Sequence, residues 1–272
     1  PYIDINDWGY FSVPEIDSFW AYTNNTDIFP VVNQLPDINS NDGSTVERYT
    51  WNNGDGCVIV EVLKIADQKN WIVISDECYE RLVFDQENII SQKLANDNSL
   101  KTEIITCMSM SKTYAMTGWR IGYAFGNIDI IKAMSKIQGQ ATSCANSIGQ
   151  AASIEALIGN QSTVDNMIEV FKDRRDYMIE LLNNLPEVDC LLPGGAFYAF
   201  PNFNFYIGKT YKNKTINDSF DLCEIFLNES HVATIPGDGF GAPGYVRFSY
   251  AIDKKTIKNG IDRIEKIIFE IK

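Results

Sequence analysis

The stretch Ser109-Met-Ser-Lys112-Thr-Tyr-Ala-Met-Thr-Gly-Trp-Arg120-Ile-Gly-Tyr sets one lysine among two hydroxyls and a guanidinium. It lies in a loop between two apolar segments, Ile104–Met108 and Trp119–Phe125, that read as buried strands. An amine at a strand end, partly withdrawn from water, loses its charge more easily and can condense with an aldehyde. Ser109, Ser111 and Arg120 are the donors a phosphate seat needs, so the aldehyde would arrive on a phosphorylated cofactor. The ordinary alternative is a surface lysine whose stem covers apolar area. Upstream, Trp71-Ile-Val-Ile-Ser-Asp76 puts a carboxylate at the carboxyl end of another buried strand, where α/β folds bind ligands. Such a carboxylate can hold a pyridine nitrogen protonated.

Elements must hold these groups in place. Apolar spacing predicts a helix over Cys57–Lys69 feeding the strand Trp71–Ser75, then helices over Ile128–Ile137, Ser147–Ile158 and Val164–Leu185, the last stopped by Pro186. Beyond it come strands at Val188–Leu192, Ala196–Phe200 and Tyr245–Tyr250, with helices at Asp218–Glu229 and Lys254–Ile271. The first fifty residues, broken by Asn, Asp and Pro, read as loops with short elements. The expected fold is α/β: residues 1–160 form part of a large domain, and residues 161–272 a long connecting helix with a smaller C-terminal α+β domain.

Composition narrows the function. Apolar residues at 45% and charged residues at 22% describe a folded globular chain. A net charge of −13 removes the basic footprint that nucleic acid requires, and no apolar run approaches the roughly 20 residues of a membrane span. The first residues lack the basic start and apolar run of a secretory signal. Six scattered cysteines and the lone His231 offer no metal-ligand spacing, which leaves reduced thiols in the cytoplasm acting as small apolar fillers, and a surface or satisfied histidine. The cluster Asp173-Arg-Arg-Asp176 reads as a solvated helix face.

With both stretches side by side, the chain resembles the fold type I pyridoxal-phosphate enzymes, most of all the class I/II aspartate and aromatic aminotransferases. Asp76 and Lys112 stand 36 residues apart (112 minus 76), and Lys112 and Arg120 eight apart (120 minus 112), as that family spaces its acid, lysine and phosphate arginine. Pro193-Gly-Gly-Ala-Phe-Tyr198, Ile235-Pro-Gly-Asp-Gly-Phe-Gly241 and Gly244-Tyr-Val-Arg247 resemble three further family signatures in the right order. The resemblance implies a large domain with a mostly parallel sheet, pyridoxal 5'-phosphate as cofactor, a cytoplasmic homodimer, and transfer of an amino group between an amino acid and a 2-oxo acid. Aspartate, glutamate or aromatic amino acids are the expected donors.

Residue by residue, it makes Lys112 the Schiff-base lysine, Asp76 the partner of the pyridine nitrogen and Tyr79 the hydroxyl beside the cofactor's phenolic oxygen. Ser109, Ser111 and Arg120 become phosphate ligands, and Arg247 the clamp on the substrate carboxylate. Asn53 would touch cofactor and substrate, and Trp8 would stack on the cofactor ring. The pattern departs upstream. Asn52-Asn-Gly-Asp-Gly56 replaces the family's Asn-Pro-Thr-Gly, and Asn53 precedes Asp76 by only 23 residues (76 minus 53). The family also carries about a hundred residues ahead of that tryptophan, with a phosphate-cradling loop at a helix N-terminus, that this sequence does not include. A lyase of the same fold and a non-catalytic relative are the rival readings.

Overall fold

A computed structural model of the protein describes residues 31–35, 46–50, 63, 66–85, 90–97 and 99–272. The chain divides into two compact units: residues 1–75, 89–106 and 125–130, and residues 76–88, 107–124 and 131–272.

In the first unit, strands β1 (Val31–Leu35) and β2 (Val46–Thr50) pair antiparallel, Val31 opposite Thr50 and Leu35 opposite Val46. Short elements thus do occur in the irregular N-terminal stretch. Of the helix expected over 57–69, residues 63 and 66–69 are described and are helical. Helix α1 (Ser91–Asp97) places Ala95 in a small core with Leu63 and Ile104, against which Val73 and Leu100 pack. Strand β3 (Ile72–Asp76) was expected to be buried, yet Ile72 is 57% and Ile74 74% exposed. The reason is the period of two: Val73 points to the core, so its neighbours project from the opposite face.

Strands β4 (Glu103–Ser109) and β5 (Gly122–Phe125) join β3 in a three-stranded sheet of order β3-β4-β5. The expected strand over 119–125 is shorter at its start. Residues Thr117–Trp119 form a 3-10 turn, and Arg120 takes a left-handed φ of 54° that extended backbone does not allow.

The second unit holds helix α2 (Met110–Thr113), most of α3 (Ile128–Ala141), α4 (Ser147–Ile158) and α5 (Ser162–Asn183). Its sheet, order β6-β10-β9, joins β6 (Tyr198–Ala199), β9 (Ile235–Pro236) and β10 (Val246–Ser249), while β7 (Thr210–Tyr211) pairs with β8 (Lys214–Thr215). Helices α6 (Ser219–Ser230) and α7 (Lys254–Glu270) start at Asp218 and Asp253, whose carboxylates accept the amides of Asp221 and Thr256. Ile257, Ile261, Ile264 and Ile268 form the buried stripe of α7 and meet Leu182, Phe203, Phe226 and Tyr250 in the main core.

Register in this sheet sorts the side chains. Phe248 lies opposite Ala199 and Ser249 opposite Tyr198, so buried Val246, Phe248 and Ala199 face the core. Arg247 and Tyr198, one residue out of phase, stand on the other face. The strand expected over 188–192 reduces to a single bridge between Asp189 and Asn202, with Leu191 84% exposed. That expected over 196–200 shortens to β6 because Ala196 adopts φ 60°.

The charge cluster on α5 is not a solvated face throughout. Arg175 is only 2% exposed. Its guanidinium donates to Asp85 (2.6 Å), to Asp176 (2.8 Å) and to the Pro193 carbonyl (2.9 Å), and lies 4.8 Å from the Phe84 ring centroid. A planar fork with five donors can satisfy partners from three chain segments at once, which makes burial tolerable. Hydrogen bonds from Lys172 and then Arg175 hold the Asp85 carboxyl below its ordinary range. This stabilisation is present above the ordinary carboxylate value and is lost as pH falls through the lowered one. Arg175→Leu leaves the Pro193 carbonyl and both carboxylates without that donor. Urea denaturation should show a loss of about 1–3 kcal/mol, and an unchanged midpoint would remove Arg175 as an anchor.

Candidate active site

Strand β4 ends at Ser109, whose Oγ accepts the Ser111 amide at 3.1 Å and starts the single turn of α2. The turn is then closed. Met110 N–H donates to the Ile121 carbonyl at 3.1 Å, and Met110, Met116 and Ile121 form a buried cluster with Tyr114, Ala152 and Ala156 around it. Thr117 Oγ1 donates to the Ser111 carbonyl (3.1 Å), and Thr113 Oγ1 to Glu80 Oε1 (2.8 Å). Burial pushes the Glu80 carboxyl up, against the pull of the Thr113 bond. Lys112 is half-buried on this turn, its Nζ 5.2 Å from the Phe197 ring centroid and 5.8 Å from that of Tyr79.

A cavity of about 490 Å³ opens beside the turn, lined by Asp76, Ser109, Ser111, Lys112 and Arg120 together with Cys78, Cys107, Met108, Thr117, Ile121 and Gly122. Five residues chosen for their chemistry thus share one wall system. Asp76 Oδ1 accepts the Cys78 amide at 3.2 Å, which fixes the carboxylate at the end of β3. Arg120 is exposed, and its Nη1 donates to the Thr117 carbonyl at 2.8 Å. At Gly122 a Cβ would stand 2.7 Å from the Met108 carbonyl oxygen, so only glycine lets β5 approach β4 there.

Tyr79, Phe197 and Tyr198 form an aromatic group: Tyr79 meets Phe197 edge-on at 5.6 Å, and its hydroxyl lies 3.1 Å from that of Tyr198. Burial first, and the Tyr198 hydroxyl next, push the Tyr79 phenol far above its ordinary value. The Arg247 guanidinium carbon lies 4.5 Å from the Tyr198 ring centroid and 4.8 Å from that of Phe240. Among the described residues no carboxylate forms an ion pair with Arg247, Arg120 or Lys112. Trp8 and Asn53 lie outside the described residues.

Sequence reasoning missed Cys78 and Cys107, which line the cavity rather than fill a core; among the described residues Cys144 is exposed, and only Cys190 and Cys223 are buried. Burial, and then the neighbouring Asp76 carboxylate, raise the Cys78 thiol, which disfavours the thiolate that a nucleophile needs. Phe197, Tyr198 and Phe240 were also passed over as sites, although two stand inside the quoted Gly-Gly-Ala-Phe-Tyr motif. His231, by contrast, is an exposed left-handed cap on α6.

Residues 57–264 match the family described as aminotransferase class I and II. The chain is 41% identical over 195 residues to an aspartate aminotransferase of Rhizobium meliloti, covering 71% of this chain and 47% of that protein. It is 42% identical over 199 residues to an asparagine–oxo-acid transaminase of Streptococcus mutans, covering 71% and 48%. Among solved structures, the aspartate aminotransferase from Rhizobium meliloti superposes with a TM-score of 0.72 at 37% identity over 78% of this chain and 53% of that one. An alanine aminotransferase from Pyrococcus furiosus gives a TM-score of 0.68 at 27% identity, covering 78% and 53%. The chain therefore spans about half the length of the curated relatives it matches, and the fold is the fold type I α/β architecture expected from the sequence.

The packing at the turn makes a paired prediction. Gly122→Ala forces a Cβ against backbone and should cost roughly 1–3 kcal/mol in thermal or urea unfolding. Gly118→Ala meets nothing within 4 Å and should change stability by less than about 0.5 kcal/mol. Equal losses in the two variants would mean that the β4–β5 approach does not govern this loop.

Proposed function

The chain belongs to the class I and II aminotransferases, and from that membership we propose that it moves an amino group between an L-amino acid and a 2-oxo acid by ping-pong chemistry. The observation that carries the reading is the shared cavity: one amine, two hydroxyls, a guanidinium and a carboxylate on the walls of a single space. Enzymes of this family depend on pyridoxal 5'-phosphate, and that donor set fits it. Ser109, Ser111 and Arg120 suit a phosphate dianion, Lys112 an aldehyde, and Asp76 a protonated ring nitrogen. When bound, the cofactor supplies an electron sink for the pair left behind as the α-proton departs.

The chain's own groups do the rest. With the cofactor bound, Lys112 would be the amine that holds it and the base that moves the α-proton, since no histidine lines the cavity. Asp76 keeps a proton on the ring nitrogen. Tyr79, its phenol pushed up by burial, stays a hydroxyl and can donate. Arg247, held by rings and not by a carboxylate, offers its two-pronged edge to the substrate α-carboxylate. Asn53 as a cofactor and substrate ligand and Trp8 as the stacking ring belong to the same reading. Aspartate or glutamate is the favoured donor, with aromatic amino acids next; the name of the relative at 41% identity supports aspartate, whereas the relative at 42% identity is named for asparagine. A cytoplasmic homodimer completes the reading. Exposed Ile148, Ile154, Leu157 and Ile158 on α4 support an apolar contact there.

Mixing the protein with pyridoxal 5'-phosphate should produce a new near-ultraviolet or visible band, and borohydride should fix cofactor mass on the peptide containing Lys112. Lys112→Ala should do neither, and label on another lysine would end the assignment. Asp76→Asn should retain some cofactor but slow the half-reaction on the order of a hundredfold or more. Arg247→Lys loses the parallel hydrogen bonds of the fork, each worth roughly 1.5–3 kcal/mol. The apparent constant for every amino acid should rise about tenfold or more, whatever the side chain. If small neutral amino acids bleach the band while dicarboxylic and aromatic ones do not, the substrate preference is wrong.

A further inference from the structure

Phe197 and Tyr198 are consecutive, and each has a cation of the site near its ring: Lys112 Nζ 5.2 Å from Phe197, the Arg247 guanidinium 4.5 Å from Tyr198. Tyr198 does a second thing. Its hydroxyl meets that of Tyr79 at 3.1 Å, a partner 119 residues earlier in the chain. Ring and hydroxyl belong to one side chain with two torsions, so moving one end moves the other. Its backbone is fixed by the β6–β10 pairing, and its ring by Phe197 (4.7 Å, tilted) and Tyr79 (6.2 Å, edge-on).

We infer that Tyr198 is a positioning residue that links the two ends of the site, its ring holding Arg247 for a carboxylate and its hydroxyl holding Tyr79 for the cofactor. This rests on the aminotransferase reading for what the two ends bind, but the linkage itself stands on geometry. The groups that act on Tyr79 are the Tyr198 hydroxyl, Cys78 and the Arg247 guanidinium, with Lys112 Nζ 5.8 Å above the Tyr79 ring. Of these, Tyr198 and Cys78 favour the protonated phenol, whereas Arg247 favours the phenolate. A carboxylate seated on Arg247 cancels that opposing charge, so occupancy of the clamp tightens the proton on Tyr79. The aromatic seat also keeps Arg247 from collapsing onto an acidic side chain in a protein of net charge −13.

The test compares the unmutated protein with Tyr198→Phe and Tyr198→Leu. Succinate binding is read by calorimetry and tyrosine ionisation by ultraviolet difference titration, with Tyr79→Phe identifying the Tyr79 step and Arg247→Lys confirming the succinate site. Tyr198→Phe keeps the ring and should bind succinate within about twofold, yet the Tyr79 step should move down by the part that the Tyr198 hydroxyl contributes, the larger part due to burial remaining. Tyr198→Leu should make the same shift and also weaken succinate roughly three- to tenfold. Succinate should delay the Tyr79 step in the unmutated protein and do so less in Tyr198→Phe. An unmoved Tyr79 step in Tyr198→Phe, or full succinate affinity in Tyr198→Leu, overturns the linkage. A protein that takes up no pyridoxal 5'-phosphate on Lys112 would sink the aminotransferase reading, while the titrations still decide the role of Tyr198.

Discussion

The site depends on one closed turn. Between the end of β4 and the start of β5 the chain must leave the sheet, expose a lysine and return. It does so around Met110, whose side chain is fully buried and whose amide is bound by the Ile121 carbonyl. Two apolar residues, Met116 and Ile121, pack on it from the returning limb. The hydroxyls of Ser109, Thr113 and Thr117 then bind backbone or Glu80, so that each bend of the loop has a partner. Lys112 sits on this turn with its Nζ near the rings of Phe197 and Tyr79. Its reach is set by buried neighbours and not by its own flexible side chain, the condition for a nucleophile to meet one carbon repeatedly.

Electrostatics explains why rings, and not acids, hold the cations. In a chain with 36 acidic and 23 basic residues, an exposed lysine or arginine readily finds a carboxylate. Lys212 with Glu229, Lys214 with Glu224 and Lys258 with Asp262 do so here. Such pairs contribute little to stability, but a cation so paired is not available for a ligand. Phe197, Tyr198 and Phe240 provide an attraction that leaves the N–H donors free, because a ring face draws the charge without accepting the bonds.

Much of this was legible before any coordinates. Lys112, Asp76 and Arg120 announce themselves by spacing, and the cavity that gathers them was implied by placing each at a strand end. The long helices were equally plain, since α5 and α7 carry strong apolar periods and one stops just before Pro186. What the residues could not declare were matters of partnership across the chain. Tyr198 and Tyr79 stand 119 positions apart, and nothing local to either reveals the contact. The strand expected over 196–200 was overextended because the unbroken apolar run Ala196–Phe200 starts at Ala196, where the backbone turns left-handed instead. The exposed Ile72 and Ile74 of β3 mark the opposite failure: an apolar run states that a strand wants burial on both faces, not that the described residues supply it.

Three arginines display how partners reveal role where residue type does not. Arg175 is enclosed, its donors spent on two carboxylates and a carbonyl, and it can do nothing but hold chain segments together. Arg120 is exposed at the rim of the cavity, with one donor on a carbonyl three residues back and the rest of its fork open. Arg247 lies near the rings of Tyr198 and Phe240 and, among the described residues, forms no ion pair with a carboxylate. A guanidinium accepts contact on its faces from π systems and donates only along its edge. A ring contact therefore limits a guanidinium's freedom without using any donor, and this separates Arg247 from Arg175, whose donors are spent on oxygens.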